Sequence, residues 1–269
     1  MTQRPFRLAP NRRAVLAGAA ATFIAAKAGA QEKPLRLGLA TSVSNQAAEI
    51  AAKEARAQGL AVETIEFNDW NTPNRALNDR EIDLNLFQHV PFLEFTKAQT
   101  GYDLVPLGIA YNTPFGIYSK TRKTLAELPD NARIAISGDP VNTGRSLLLL
   151  QKAGFLELKP GADFRVGMDG ITGYRKPVRI VQLDGPQIAR TLEEMDAALT
   201  YPTFARMAGL EPGSALLFEN DPVYAFRFVT RRDRVDDERI KRFVALYRES
   251  EAVKAKLREL YGELVTFPR

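Results

Sequence analysis

From Leu35 onward, short apolar runs alternate with stretches of helical periodicity, and this alternation narrows the fold more than any other feature. LRLGLA, from Leu35, reads as a strand, and NQAAEIAAKEARAQG repeats Ala and Ile at helical spacing until Gly59. LAVETIEF alternates as a strand does, PNRALNDREI opens with a helix-starting Pro73, DLNLFQ is strand-like, and VPFLEFTKAQTG is helical with Gly101 as its stop. Strand alternating with helix is the pattern of a parallel α/β sheet. After DLVPLGIAYNTPFGIYS it restarts through VRIVQLDG, PQIARTLEE, DAALTYP, TFARMAG and YAFRFVT. An amphipathic helical region then runs from Asp236 to about Gly262, with Ile240, Phe243, Leu246, Tyr247, Leu257 and Leu260 on apolar faces. A restart without a flexible linker predicts two α/β lobes joined by extended crossovers near Tyr111–Ser119 and Val223–Thr230. The expected borders are 31–115 plus 228–269 for one lobe and 116–227 for the other, with a ligand held between them near the carboxyl ends of strands.

The stretch ARIAISGDPVNTGRSLLLLQKAGF, from Ala132, predicts a strand, a glycine-bounded loop and a leucine-rich helix opening at Arg145 and Ser146. A phosphate loop requires four residues between its glycines and then a lysine; here five residues separate Gly138 from Gly144 and the cation is Arg145. What remains is the general chemistry of an anion site: unpaired N–H groups at a helix start, the positive end of its dipole, and a cation.

Composition bounds the function. Residues 1–30 pair Arg12 with Arg13, continue through an alanine-rich apolar run and end Ala28-Gly29-Ala30, the layout of a cleavable export signal. A membrane anchor is the rival, but the run falls short of about 20 apolar residues. The arginine pair favours a twin-arginine (Tat) signal over a general secretory (Sec) one. Arg4, Arg7, Arg12, Arg13 and Lys27 lie in this segment with no acidic residue, so 37 Lys+Arg against 32 Asp+Glu becomes 32 against 32. A balanced remainder argues against nucleic acid as a partner. With no cysteine and one histidine, His89, thiol catalysis, a lipid-bearing cysteine and a multi-histidine zinc site are not expected. No metal or cofactor is expected either, and the predicted location is the periplasm without a lipid anchor.

Six blocks then carry a resemblance: FNDW (67–70), PNRAL (73–77), DLNLFQHVPFLE (83–94), IAYNTPFGIYSK (109–120), GDPVNTGRSLLLLQKAG (138–154) and LDGPQIARTL (183–192). Together they resemble the MetQ/NlpA family, the methionine-binding components of ABC importers. The resemblance implies a type II periplasmic binding-protein fold, a monomer whose two lobes close on a free amino acid and deliver it to a membrane permease and its ATPase. It also implies that Arg145 clamps a ligand carboxylate, with Asn142 and Gly144 shaping the loop beside it. Trp70 stands where the family has tyrosine, and Phe87 and His89 match the side-chain pocket. Two positions depart: Tyr201 and Phe226 stand where the family has ligand-holding asparagines. A buried ammonium without acceptors is costly. The expected ligand is therefore a carboxylate other than methionine, or one whose cationic end rests on the faces of Trp70, Tyr201 and Phe226.

Each residue also has a plainer reading. Arg145 would cap a carbonyl, His89 would start a helix bonded to backbone, Trp70 and Phe87 would be core, and Tyr201 and Phe226 would fill a collapsed site. The functional alternatives are a sensor uncoupled from uptake and a periplasmic enzyme. Against the enzyme, no G-x-S-x-G, H-E-x-x-H or dinucleotide fingerprint occurs.

Overall fold

The computed structural model describes residues 33–268. The segment expected as an export signal, residues 1–30, lies outside the described residues.

The first half of the alternation builds one sheet. Strands β1 (Leu35–Ala40), β2 (Val62–Phe67) and β3 (Leu84–Gln88) run parallel, with helices α1 (Asn45–Ala57), α2 (Thr72–Asn78) and α3 (Val90–Thr100) connecting and following them. β4 (Leu104–Tyr111) closes the edge, giving the order β2-β1-β3-β12-β4. The inserted strand, β12 (Phe226–Arg231), arrives from the far end of the chain and runs antiparallel to both neighbours. Helix α1 turns a stripe of Ala47, Ala48, Ala51, Ala52 and Ala55 to the core, so small side chains bring it close to the sheet. α7 (Glu238–Glu249) and α8 (Glu251–Tyr261) join it there, adding Phe243, Tyr247, Leu257 and Leu260. The expected single C-terminal helical region is thus two helices, broken at Ser250, whose side chain accepts from the Val253 N–H and starts the second.

The second sheet has the order β11-β5-β10-β6-β9. β6 (Ala132–Ser137), β9 (Val178–Leu183) and β10 (Ala197–Thr200) are parallel, while β5 (Phe115–Tyr118) runs antiparallel to β10 and to β11 (Leu217–Glu219). β7 (Leu156–Leu158) and β8 (Ile171–Tyr174) form a separate ribbon. α4 (Pro140–Lys152) covers one face through Leu147, Leu149 and Leu150; α5 (Ile188–Thr191) and α6 (Pro202–Met207) cover the other. This is the type II periplasmic binding-protein fold, two α/β lobes with a cleft between them. Its sheets are mixed, not purely parallel as strand–helix alternation predicts. The reason lies in the crossovers: β5 and β12 each follow a short passage between sheets, with no α-helix to restore strand direction and only a single 3-10 turn, Pro222–Tyr224, before β12.

Those passages are residues 112–114 and 220–225. They meet: Asn112 Nδ2 donates to Asn220 Oδ1 at 2.9 Å.

Candidate functional site

Where the strands of both sheets end, the chain leaves a cavity of about 610 Å³, counted with its open mouth. Each wall follows from local structure. β1 runs out into Thr41, Ser42 and Ser44 ahead of α1; β3 ends at Phe87 and Gln88; and β10 gives way to Tyr201, Thr203 and Phe204 at the start of α6. Tyr111 at the end of β4, Phe226 at the start of β12 and Tyr261 at the end of α8 complete one side.

Six predicted residues line this cavity: Trp70, Phe87, His89, Asn142, Tyr201 and Phe226. Trp70, in the loop between β2 and α2, spans the cleft. Its ring lies 6.5 Å from Phe92 of the first lobe and 6.5 and 6.0 Å from Tyr201 and Phe204 of the second. Phe87 meets Phe92 edge-on at 6.0 Å, and Phe226 stacks on Tyr111 at 5.0 Å and tilts toward Tyr201 at 5.4 Å. His89 combines its two readings: Nδ1 accepts from the Phe92 N–H at 3.2 Å, capping α3, and Nε2 reaches Asn142 Oδ1 at 3.4 Å. Because Nδ1 accepts, the proton is assigned to Nε2. Burial, reinforced by the Arg145 charge, pushes the imidazole down to about 3, so it is neutral at physiological pH.

Gly144 and Arg145 are placed differently. α4 begins at Pro140, so both lie inside the helix and not at its start. Asp139 moves the boundary: its carboxylate accepts from the Asn142 N–H and Asn142 Nδ2, both at 2.9 Å, and proline suits the first turn. Capping by this carboxylate answers one of the orphan N–H groups, that of Asn142, that the sequence reading left for an anion. A Cβ on Gly144 would come 2.1 Å from the Phe164 carbonyl oxygen, so this glycine admits the 164–166 backbone, and it does not line the cavity.

Arg145, 2% exposed, does not line the cavity. Its Nε and Nη2 donate to Glu219 Oε2 at 2.8 and 2.6 Å, and its Nη1 donates to the Tyr201 hydroxyl at 3.0 Å. Tyr224 and Phe115 pack against the guanidinium, 3.7 and 4.6 Å from ring centroid to Cζ. The guanidinium expected to clamp a ligand carboxylate here holds a carboxylate supplied by β11. From Arg145 a relay leads to the cavity wall, the Tyr201 hydroxyl donating to Asn142 Oδ1 at 3.3 Å. Burial drives the Tyr201 hydroxyl well above its ordinary range, so it remains protonated.

Residue reasoning missed a cluster of hydroxyls. Ser42 Oγ lies 2.9 Å from Thr203 Oγ1 and 2.7 Å from Ser44 Oγ, the Val43 N–H donates to Thr203 Oγ1 at 3.1 Å, and the Tyr111 hydroxyl donates to Ser44 at 2.9 Å. The two bonds to Thr203 tie the β1–α1 turn to α6 across the cleft. The signal was TSVSN directly after a strand, a turn rich in N-cap residues at the end where α/β ligands bind.

The sequence pattern of the NlpA lipoprotein family matches residues 35–267. The D-methionine-binding lipoprotein MetQ of Escherichia coli O157:H7 is 38% identical over 236 residues, covering 86% of this chain and 87% of the relative. The crystal structure of a methionine-binding protein, MetQ, superposes with a TM-score of 0.83 at 35% identity, covering 87% of this chain and 97% of that one. A nutrient-binding protein from Burkholderia cenocepacia, bound to methionine, superposes with a TM-score of 0.81 at 32% identity, covering 87% and 100%. These matches correct the predicted location. The matching family and the E. coli relative are lipoproteins by name, so Tat export without a lipid anchor is not upheld. That reading rested on Arg12, Arg13 and a missing residue type, features that lie outside the described residues or have no geometry.

Proposed function

The chain belongs to the NlpA lipoprotein family, and from that premise we propose that it is the solute-binding component of an ABC importer, presenting a small molecule to a membrane permease driven by an ATPase. One observation carries the reading: a cavity is walled by both sheets, at the ends of their strands, and its walls are bonded to each other across the cleft by Ser42 and Thr203. Such a site changes when the lobes move. A ligand filling it favours the closed arrangement, and release follows opening. The lobes in this proposal are 31–115 with 228–269, and 116–227, pivoting on the crossovers joined by Asn112 and Asn220. Ligand contact is assigned to Trp70, Phe87, His89, Asn142, Tyr201 and Phe226, with Gly144 and Arg145 supporting that wall from behind. The relatives are named for, or were solved with, methionine.

The test is a thermal-shift screen on protein unfolded and refolded to strip carried-over ligand. A ligand at 100 times its dissociation constant stabilises by about 2.7 kcal/mol. Trp70→Ala should abolish the shift, and vesicles carrying the cognate permease and ATPase should take up the same compound. A hit that Trp70→Ala leaves unchanged removes the cavity as the binding site.

A further inference from the structure

The sequence blocks PNRAL and DLNLFQH place three amides where apolar core is expected. Asn74 lies on the buried face of α2 with Ala76 and Leu77, Asn85 pairs in mid-β3 with Gly38 of β1 and Val229 of β12, and Gln88 ends β3; none is more than 2% exposed. A buried amide is costly unless bonded, and here each is bonded to the other two. Asn74 Nδ2 donates to Gln88 Oε1 at 2.9 Å and Gln88 Nε2 returns a bond to Asn74 Oδ1 at 2.6 Å, while Asn85 donates to Asn74 Oδ1 and accepts from Gln88 Nε2, both at 3.0 Å. Apolar neighbours can slide past one another, whereas a closed ring of directional bonds selects one arrangement. Each end of the ring holds a wall of the cavity. Trp70 precedes α2, and the Asp69 carboxylate fastens its loop to that helix by accepting from the Asn71 and Thr72 N–H groups, both at 2.7 Å. Gln88 stands between Phe87 and His89, which line the cavity. When the lobes part, Trp70 loses Tyr201 and Phe204, so first-lobe contacts alone place its ring.

We infer, resting on the solute-binding function, that Asn74 is a positioning residue for the site although it does not line the cavity. Through Asn85 and Gln88 it locks the Trp70 loop against the Phe87–His89 wall. The first lobe's half of the site is thereby formed before a ligand arrives, and binding need order only the second.

Trp70 is the only tryptophan in the chain, so its emission reports this wall directly. The experiment uses the full chain, refolded free of ligand, as parent, as Asn74→Leu, which removes the hub of the ring at similar side-chain size, and as Leu257→Ala, which weakens the same lobe's core on α8 away from the ring. Acrylamide quenching of Trp70 and calorimetric titration with methionine are measured on each, with folding checked by circular dichroism. Asn74→Leu is expected to raise the quenching constant about twofold, because the loop moves. It should also weaken methionine about tenfold, because ordering that loop then falls on binding. Leu257→Ala should match the parent in both. A folded Asn74→Leu with parent quenching, or a change that Leu257→Ala reproduces, overturns the inference and leaves the solute-binding function intact. So does raised quenching with methionine held as tightly as by the parent. Should Asn74→Leu not fold, Asn85→Ser, which opens the ring at β3, is held to the same outcomes. If the parent is silent toward methionine, quenching alone decides the positioning, and the thermal-shift screen decides the function separately.

Discussion

At the scale of single residues, two buried groups carry testable energies. His89 is the only histidine in the chain and is held neutral, its pKa pushed down to about 3 chiefly by burial. In the unfolded chain it titrates near 6.5. The folded value is the lower one, so the unfolded state binds the extra proton: stability is intact above about pH 6.5 and falls as pH drops toward 3, by about 1.4 kcal/mol per unit. Urea denaturation at pH 7.5, 6.5, 5.5 and 5.0 should show this slope below pH 6.5, and His89→Gln should flatten it. An unchanged slope in the variant would place its origin elsewhere. The Arg145–Glu219 pair is the second case. Arg145 is 2% exposed and Glu219 20% exposed at the side chain, so removing one partner strands a buried charge. Glu219→Ala should lower stability by about 3 kcal/mol, whereas Arg145→Met with Glu219→Leu should lose much less, because an apolar pair needs no counter-charge. Equal losses would mean that packing, not charge, dominates there.

At the scale of elements, α4 shows what periodicity reveals and what it conceals. The strand before it and the leucine face after it were legible in the sequence, since a period of two changing to 3.6 is a local property. Its start was not: GDPVNTGR resembles a glycine-bounded loop until the Asp139 cap and Pro140 set the boundary, four residues ahead of Gly144. Strand direction escaped too, because β5 and β12 owe theirs to crossovers and not to composition. The Glu219 partner of Arg145 lies 74 residues away, on the three-residue strand β11, and no local pattern links them. Aromatic cavity residues were readable as anomalies, Trp70, Tyr201 and Phe226 standing where polar or smaller groups were expected. Gly144 supplies the prediction at this scale. Alanine inside a helix gains about 1 kcal/mol over glycine. Here its methyl would lie 2.1 Å from a backbone oxygen of the 164–166 segment, and overpacking typically costs about 1–3 kcal/mol, more where backbone must yield. Gly144→Ala should therefore destabilise by at least about 1 kcal/mol in chemical denaturation; a stabilised variant would mean that the 164–166 segment gives way freely.

At the scale of the whole molecule, closure depends on one side chain reaching the other lobe. Trp70 leaves the first sheet and lies so near Gly185 that an added Cβ would stand 2.1 Å from its Cη2. An indole cannot bend away as a long aliphatic chain can, and Phe92, Tyr201 and Phe204 hold its other edges. Gly185→Ala is therefore expected to wedge the cleft open without harming either sheet. Thr203→Val should act more mildly: it removes the hydroxyl that faces Ser42 and the Val43 N–H, a loss of about 1 kcal/mol, or roughly fivefold in the open–closed balance. A chain without cysteine makes the measurement clean. Lys53→Cys on α1 and Lys123→Cys beyond β5 are exposed positions on opposite lobes, suited to a donor–acceptor dye pair. Transfer efficiency should fall in the order parent, Thr203→Val, Gly185→Ala, and a cavity-filling ligand should restore the first two while leaving the third low. Gly185→Ala with parent-like efficiency would show that Trp70 can withdraw in the closed state, and the cleft would then be held shut by the hydroxyl bridge alone.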